Sequence, residues 1–353
     1  MFSKRKVFAA LLSLCLWQAG ELRAGAGGPD GYRLSDPVVH GNLAIYLVHG
    51  TSQDGPVPLT LAEALEKKVV EVREVGNVNE LQIENKGKDA VFIQAGEIVK
   101  GGKQDRVLSV SLLLPPHSGA LPISSYCVEQ GRWSPRGNED ARKFSSASTA
   151  VPSRSAKLEI ASTVAAGRDG AGAAATGSRQ QQIWDNVAKI QGKLADKLGA
   201  PVAAPQSQTS LQLALENGRL KKEQDDYVAA LQAAGERDAD VVGYVFAING
   251  KVNSADIYPS NGLFRKMWPK LLRASVTEAI GERTDAPAPP PPTADVSKFI
   301  DAADSGHAVE ADAAGELARV VKRESGAAVV VETRPAGAGK STTGWVYRNY
   351  LAR

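Results

Sequence analysis

Alternating apolar and polar positions along residues 40–133 predict a series of short β-strands. From Leu108 to Leu114 every second residue is leucine or valine, and Ser109 and Ser111 lie between them. This spacing of two is typical of a strand that buries one face. Asn, Gly and Pro residues separate such runs, and one short helix is expected over 60–68. The pattern predicts an antiparallel β-sandwich-like core, with an open barrel as the alternative.

Further along the chain the apolar positions repeat with helical spacing. Within 180–200 they follow one another at intervals of three or four residues, which predicts a helix with one buried face. Further helices are predicted over 219–234 and 260–282, the last of which contains Pro269. The apolar stripe of the first helix consists of Ile183, Val187, Ile190, Leu194 and Leu198.

A β-hairpin is predicted between the last two of these helices. Residues 241–248 are apolar on both faces, so this strand is expected to lie centrally in its sheet. The dipeptide Asn249-Gly250 follows it and is typical of a type I′ turn.

A proline-rich segment, residues 286–293, precedes the last part of the chain, and we interpret it as a semi-rigid linker. After it we predict a helix over 312–324 and a hairpin formed by AAVVVETRP and GWVYRNYL. The predicted fold class is therefore α+β, with an antiparallel β-sandwich-like core, several packed helices and a short C-terminal αββ segment.

The predicted organisation has four parts. Residues 1–26 are interpreted as a signal peptide, 27–285 as a β-rich α+β domain, 286–293 as the linker and 294–353 as the C-terminal segment. Within the large domain, Ser, Ala and Gly dominate about residues 138–178, which predicts a mobile loop there.

The first residues have the composition of an export signal. Three basic residues precede an apolar run of eleven residues over 7–17, and small residues follow up to Ala26. Eleven helical residues rise about 16 Å, whereas the hydrocarbon layer of a membrane is about 30 Å thick. We therefore expect an exported, soluble protein, periplasmic or secreted, that is cleaved near Ala26 and has no membrane span.

The net charge of the chain indicates which classes of binding partner to expect. The chain has 42 basic and 39 acidic residues, and the predicted signal contains four of the former and one of the latter, which leaves 38 of each. A formally neutral mature chain gives no reason to expect nucleic acid as a partner. Protein partners are left open.

Residues that commonly carry chemistry are few. Cys127 is the one cysteine outside the predicted signal, and its strand-like surroundings favour burial over reactivity. The four histidines show no close ligand spacing, so no metal site and no cofactor are predicted. The tripeptide GKS at 339–341 lacks the earlier glycine of a P-loop.

Two polar segments stand out in the β-rich region. The first, AGEIVKGGKQDRVLS, contains Gly101-Gly102, which permits positive φ and exposes consecutive backbone N–H groups. The second, SYCVEQGRWSPRG, offers carboxylate, amide, guanidinium and indole groups, which suit a flat, anionic or ribosylated ligand. Ordinary turns whose charges pair with one another fit the same residues. The predicted ligand-binding residues are Glu97, Lys100, Gly101, Gly102, Lys103, Gln104, Arg106, Glu129, Gln130, Arg132 and Trp133.

Three motifs in a fixed order resemble one bacterial and archaeal family. FIQAGEIVKGGKQDRVL, LLLPPHSGALPIS and CVEQGRW follow one another between residues 92 and 133. This order is similar to that of the ARG-and-rhodanese-phosphatase-superfamily-associated protein domain. The resemblance implies a β-rich domain and a link to ADP-ribose or nucleotide-derivative chemistry, without a defined reaction. An export signal departs from the cytoplasmic setting of nucleotide handling.

Three functions fit these residues. The first is a ligand-binding module that holds an anionic or ribosylated small molecule between the GGKQDR and CVEQGRW loops, and it is the hypothesis we favour. The second is a hydrolase or transferase on ADP-ribose-like or phosphosugar substrates, with Glu97 and Glu129 as an acid/base pair or Cys127 as nucleophile. The third is a structural or interaction protein of the envelope, in which the polar residues form a salt-bridged knot.

Overall fold

The computed structural model describes residues 31–136, 140, 142–162, 173–314, 317–335 and 344–353. The predicted signal peptide, the GKS tripeptide and part of the predicted loop lie outside these residues. The described residues form seven helices and 18 strands, so the fold is α+β, as predicted.

The elements follow one another along the whole described chain. The helices are α1 Leu61–Glu66, α2 Arg154–Ser162, α3 Ala173–Leu198, α4 Leu211–Leu215, α5 Gly218–Arg237, α6 Asn261–Gly281 and α7 Thr293–Asp304. The strands are β1 Arg33–Leu34, β2 Val38–His40, β3 Leu43–His49, β4 Leu59–Thr60, β5 Val70–Glu74, β6 Glu80–Asn85, β7 Val91–Ile93, β8 Glu97–Gly101, β9 Arg106–Leu108, β10 Leu112–Leu114, β11 Gly119–Cys127, β12 Phe144–Ala150, β13 Val241–Ile248, β14 Lys251–Ile257, β15 His307–Ala313, β16 Ala318–Glu324, β17 Ala328–Pro335 and β18 Tyr347–Ala352.

The largest sheet has nine strands in the order β1-β3-β13-β14-β18-β17-β16-β15, with β2 also paired to β3. Its central strand β13 is buried along its full length. The predicted hairpin from β13 to β14 is confirmed, and Asn249 and Gly250 both have positive φ, as a type I′ turn requires.

Two smaller sheets pack beside it. A six-stranded sheet has the order β12-β8-β9-β11-β6-β5, and a three-stranded sheet has the order β10-β7-β4. Among the described strand pairs, β4 with β7 is parallel and the others are antiparallel.

Helices cover both faces of the nine-stranded sheet. Helices α3, α5 and α6 pack with β3 and β13 in one apolar cluster that includes the fully buried Trp268. Helix α7 packs against the other face through a stripe at helical spacing: Val296, Phe299, Ile300 and Ala303. No helix in the described part of the chain combines the length and the apolar character needed to span a membrane.

Two predictions about elements were wrong. The segment predicted as a loop over about 138–178 contains β12 and α2, and it also contains the start of α3. Residues 144–150 are mostly Ser and Ala, with Thr149 as the one β-branched residue, but pairing with β8 nevertheless extends them. The single strand predicted over residues 108–114 is divided, because β9 ends at Leu108 in the six-stranded sheet and β10 begins at Leu112 in the three-stranded sheet.

The C-terminal segment also differs from the predicted αββ unit. The helix lies at Thr293–Asp304, whereas most of the predicted helix 312–324 falls in β15 and β16. The predicted hairpin is present as β17 and β18. Because β18 pairs with β14, the four C-terminal strands extend the same sheet that contains β3 and β13.

Candidate functional site

Strand pairing brings the two polar segments together. The first forms the turn between β8 and β9, and the second follows β11. Strands β9 and β11 are antiparallel neighbours, so that Arg106 lies opposite Cys127. The side-chain amide of Gln104 donates to the backbone carbonyl of Glu129 at 2.9 Å. The sheet therefore produces the adjacency of the two segments that the sequence predicted.

Asp105 is at the centre of the contacts between these segments. Its carboxylate accepts from both terminal nitrogens of Arg136, at 2.7 and 2.8 Å, and from the Ser210 hydroxyl at 3.1 Å. Burial raises the pKa of Asp105, the bonds from Arg136 oppose this increase, and the charge of Glu129 adds to it. The bidentate guanidinium of Arg136 therefore opposes the protonation that burial favours at this carboxyl group.

Glu129 is the second carboxylate of the cluster. It is fully buried and accepts from Nε of Arg132 at 2.7 Å, and its other oxygen lies 3.7 Å from Arg136. Arg132 also donates to the carbonyl of Gly102 at 3.3 Å and lies 3.8 Å from Asp105. Asp105 and Glu129 thus share two guanidinium groups.

Arg106 extends the cluster to a third strand. This guanidinium is fully buried, lies 3.3 Å from the carboxylate of Glu74 at the end of β5, and donates to the carbonyl of Gln104. We call the resulting set of three carboxylates and three guanidiniums the ion network. It consists of Glu74, Asp105, Arg106, Glu129, Arg132 and Arg136.

The backbone N–H groups of the double glycine point at the protein itself. The N–H of Gly101 donates to Asp105 at 3.0 Å, and that of Lys103 donates to Glu74 at 3.1 Å. The N–H of Gly102 donates to the carbonyl of Lys143 at 3.1 Å. Two carboxylates of the ion network therefore occupy the positions that an external anion was expected to take.

Glu97 and Lys100 take part in other contacts. Glu97 is fully buried and accepts from the Lys270 ammonium at 2.6 Å and from the N–H of Gln94 at 2.9 Å. Lys100 pairs with Glu216 at 2.8 Å. Four residues along a strand separate Glu97 from Gly101, which corresponds to about 13 Å. The carboxylate that neighbours Glu129 is consequently Asp105, which corrects the predicted pairing of Glu97 with Glu129.

Cys127 is buried beside the ion network. Its thiol donates to the side-chain oxygen of Gln104 at 2.9 Å, and its backbone N–H and carbonyl both bond to Gln180. Burial raises the pKa of Cys127 to about 11, although the charge of Arg106 opposes the increase. Such a thiol carries very little thiolate near neutral pH, which disfavours a nucleophilic role.

Three residues above the ion network reach solvent, and we call them the rim: Lys103, Gln130 and Trp133. The side chain of Trp133 is 46% exposed. The ammonium of Lys103 lies 5.4 Å from its ring centroid, and the guanidinium carbon of Arg106 lies 5.8 Å from the same centroid. The backbone of Gln130 is held by two hydrogen bonds with Thr209. An aromatic ring and a cation are thus presented together at the surface.

The comparisons with known proteins identify the family. The family model of the ARG and Rhodanese-Phosphatase-superfamily-associated Protein domain matches residues 31–341. The chain belongs to this family. No curated protein and no solved structure shows significant similarity to the chain.

The family match extends well beyond the motifs that carried the resemblance. It includes both polar segments, the proline-rich segment and the strands β15, β16 and β17. The family match therefore continues past the proline-rich segment through β17 and ends before β18.

The predicted ligand-binding residues omit four members of this site: Glu74, Asp105, Arg136 and Ser210. Asp105 lies within the first polar segment. Arg136 belongs to the second polar segment, and of the two arginines in that segment only Arg132 was predicted to bind a ligand. Ser210 caps helix α4, and a serine before an apolar run was an available signal for this position. Glu74 ends a strand in another part of the chain, and only strand pairing brings it to Arg106.

Two clefts in the described part of the chain lie elsewhere, and neither is lined by the ion network or the rim.

Proposed function

We propose that this member of the family is an exported ligand-binding protein whose binding surface is the rim. The observation that carries the proposal is the exposed ring of Trp133 beside the ammonium of Lys103, above a buried and charge-balanced network. The ligand is an anionic small molecule that contains a flat ring, such as an ADP-ribose-like compound.

The ion network holds the turn and the loop that carry the rim in a fixed conformation. Each of its charges has an opposite charge within 4 Å, and its carboxylates are almost completely buried. Removing one partner of such a network leaves an uncompensated buried charge, so the turn and the loop that carry the rim are held in one arrangement. A binding surface with a fixed geometry loses less entropy when a ligand binds.

The chemistry of the rim indicates the ligand class. An indole face stacks with a nucleobase or another planar ring, and an ammonium group pairs with a phosphate or carboxylate. The amide of the exposed Gln130 adds a donor and an acceptor for ribose hydroxyls. The hydrolase or transferase alternative receives no comparable support, because Glu97 and Glu129 belong to separate sets of contacts and the Cys127 thiol stays protonated.

The test is a titration of the mature protein with ADP-ribose, adenosine and ribose phosphate, followed by tryptophan fluorescence and calorimetry. ADP-ribose is expected to bind more tightly than either part, because only it offers both a ring and an anion. Trp133→Ala should weaken its binding about tenfold or more, since stacking contributes about 1–3 kcal/mol per base. Lys103→Met should weaken the binding of ADP-ribose and leave the binding of adenosine unchanged.

The control is Lys298→Met, which removes an exposed lysine on α7, in a different part of the fold. It should leave the affinity unchanged. If none of the ligands binds, or if Trp133→Ala binds ADP-ribose as the wild type does, the rim is not the binding surface.

The structural alternative is favoured by one observation, the complete pairing of three buried positive and three buried negative charges. In that case the polar residues only stabilise the fold. Asp105→Asn would then lower stability by about 3–5 kcal/mol while the rim variants change neither binding nor stability. Asp295→Asn, which breaks an exposed pair, should cost less than about 1 kcal/mol in either case.

A further inference from the structure

A second site lies between helix α2 and the nine-stranded sheet. A small cleft there opens to solvent. Its floor is formed by β16, β17 and β18, its wall by α2, and its roof by the chain between β9 and β10. It shares no residue with the rim or the ion network, so a ligand bound here would be independent of a ligand at the rim.

Strand register makes the floor continuous. Thr333 lies opposite both Val320 and Tyr347 on neighbouring strands, and Val331 lies opposite Asn349. Because side chains two residues apart point to the same side of a sheet, these five side chains line one face. Ile160 and Ala161 on α2 and Val110 in the roof add further apolar surface. Most of the lining is therefore apolar, as in sites for small organic molecules.

One lining residue carries a formal charge, and it is Lys157 on α2. Its ammonium lies 5.8 Å from the centroid of the buried Phe246 ring and has no carboxylate within ion-pair distance among the described residues. The carboxylate of Glu278 acts on it electrostatically, while accepting from the N–H of Arg154. A half-buried cation beside an apolar surface favours an anionic group on a ligand.

The floor on the opposite side offers acceptors. The Tyr347 hydroxyl donates to Asp256, and the amide nitrogen of Asn349 donates to Asp256 at 3.0 Å and to the carbonyl of Ala255 at 3.2 Å. Asp256 is fully buried, and its Oδ2 has no hydrogen-bond partner in the described structure. Asp256 lies opposite Asn349, on the same face of the sheet, and takes the donors of Tyr347 and Asn349. Among the described contacts, the oxygens of these two side chains are then the groups that remain for a ligand.

We propose that this cleft binds a small carboxylic acid with a short apolar body, whose carboxylate pairs with Lys157. The buried negative charge of Asp256 repels an anion from the floor, so the carboxylate lies on the α2 side. A hydroxyl group next to the carboxylate improves binding, because it donates to the free oxygen of Asn349.

The proposal is tested by calorimetry and by ligand-detected NMR with phenylacetate, mandelate and the neutral phenylacetamide. The two acids should bind the mature protein at least about tenfold more tightly than the amide, and mandelate should bind more tightly than phenylacetate. Lys157→Met should remove this preference for the acid, and Lys157→Arg should keep most of it. Ala161→Leu should weaken all three compounds by filling the cleft.

The matched control is Lys189→Met, which removes a lysine that lines the other cleft. It should leave the affinity for the acids unchanged, and each variant is compared at a temperature where circular dichroism shows it folded. Equal binding of acid and amide, unchanged binding by Lys157→Met, or no acid binding by the wild type would each overturn the proposal. Trp133→Ala should not alter acid binding, so failure of this site is distinguishable from failure of the rim.

Discussion

Asp105 and Arg106, at the turn between β8 and β9, are fully buried, and their side-chain partners come from three different parts of the chain. Asp105 contacts Arg136 and Ser210, whereas Arg106 contacts Glu74. Buried ion pairs of this kind contribute little net stability relative to apolar residues. Removing one partner of such a pair is nevertheless strongly destabilising, because the other charge stays buried without compensation. At the scale of the residue, the site is therefore defined by the ion-pair or hydrogen-bond partner of each charged side chain.

Cys127 gives a prediction about pH. Its pKa is raised from 9.0 to about 11 in the folded protein, so the folded state holds more protons than the unfolded state over this interval. The free energy of unfolding should therefore fall as pH rises from 9 to 11, with the full contribution present below pH 9. The loss should be no more than about 3 kcal/mol, since one pKa unit corresponds to about 1.4 kcal/mol.

The measurement is urea unfolding of the wild type and Cys127→Ala across this pH range. The buried tyrosines, whose pKa values are also raised by burial, are common to both proteins and cancel in the difference. Parallel pH profiles for the two proteins would show that the thiol does not titrate as the structure indicates.

At the scale of the element, the double glycine fixes the turn between β8 and β9. Gly101 has φ +125° and Gly102 has φ +57°, in the region that favours glycine. A Cβ atom on Gly101 would overlap the carbonyl oxygen of Lys143, which belongs to the backbone beside β12. The turn therefore needs glycine for its conformation and also for the close approach of a second chain segment.

Gly101→Ala tests this requirement. We expect it to lower the free energy of unfolding by at least about 2 kcal/mol more than Gly131→Ala, whose Cβ atom meets no neighbour within 4 Å. Gly131 has φ +85°, so both variants carry the cost of a positive φ and only Gly101→Ala adds the overlap. Chemical denaturation measures the difference, and equal effects would show that the backbone of residue 143 moves aside.

At the scale of the molecule, the C-terminal strands complete the large sheet. β18 pairs with β14, and the fully buried Tyr350 and Leu351 belong to it. The proline-rich segment thus connects two parts of one sheet, although its composition is typical of a spacer between independent units.

Removal of residues 294–353 tests whether the part before the linker folds alone. The shortened chain would expose the edge of β14 and lose helix α7, which covers one face of the sheet, so we expect aggregation and no cooperative unfolding. A chain that retains residues 294–353 should unfold in one transition. A shortened chain that is monomeric and unfolds cooperatively would instead support the predicted division at the linker.

Some elements were predictable because their signals are local. The helix with Ile183 and Leu194 on one face and the Asn249-Gly250 hairpin follow from period and turn chemistry, and both are present. The helix predicted over 312–324 was wrong, because Val320 and Val321 fit a helical stripe as well as a strand. Pairing of β16 with β15 and β17 decided between them.

The sequence by itself determined the α+β class, most element positions and the family, because spacing, turn residues and motifs act over a few neighbouring positions. The predicted nearness of the two polar segments is realised by the pairing of β9 with β11. Only the tertiary structure decided that Asp105 rather than Glu97 lies beside Glu129, that Glu74 reaches Arg106, and that the last strands belong to the main sheet. These contacts depend on which distant strands pair, and a side chain's partner across a sheet is not encoded by its neighbours in the chain.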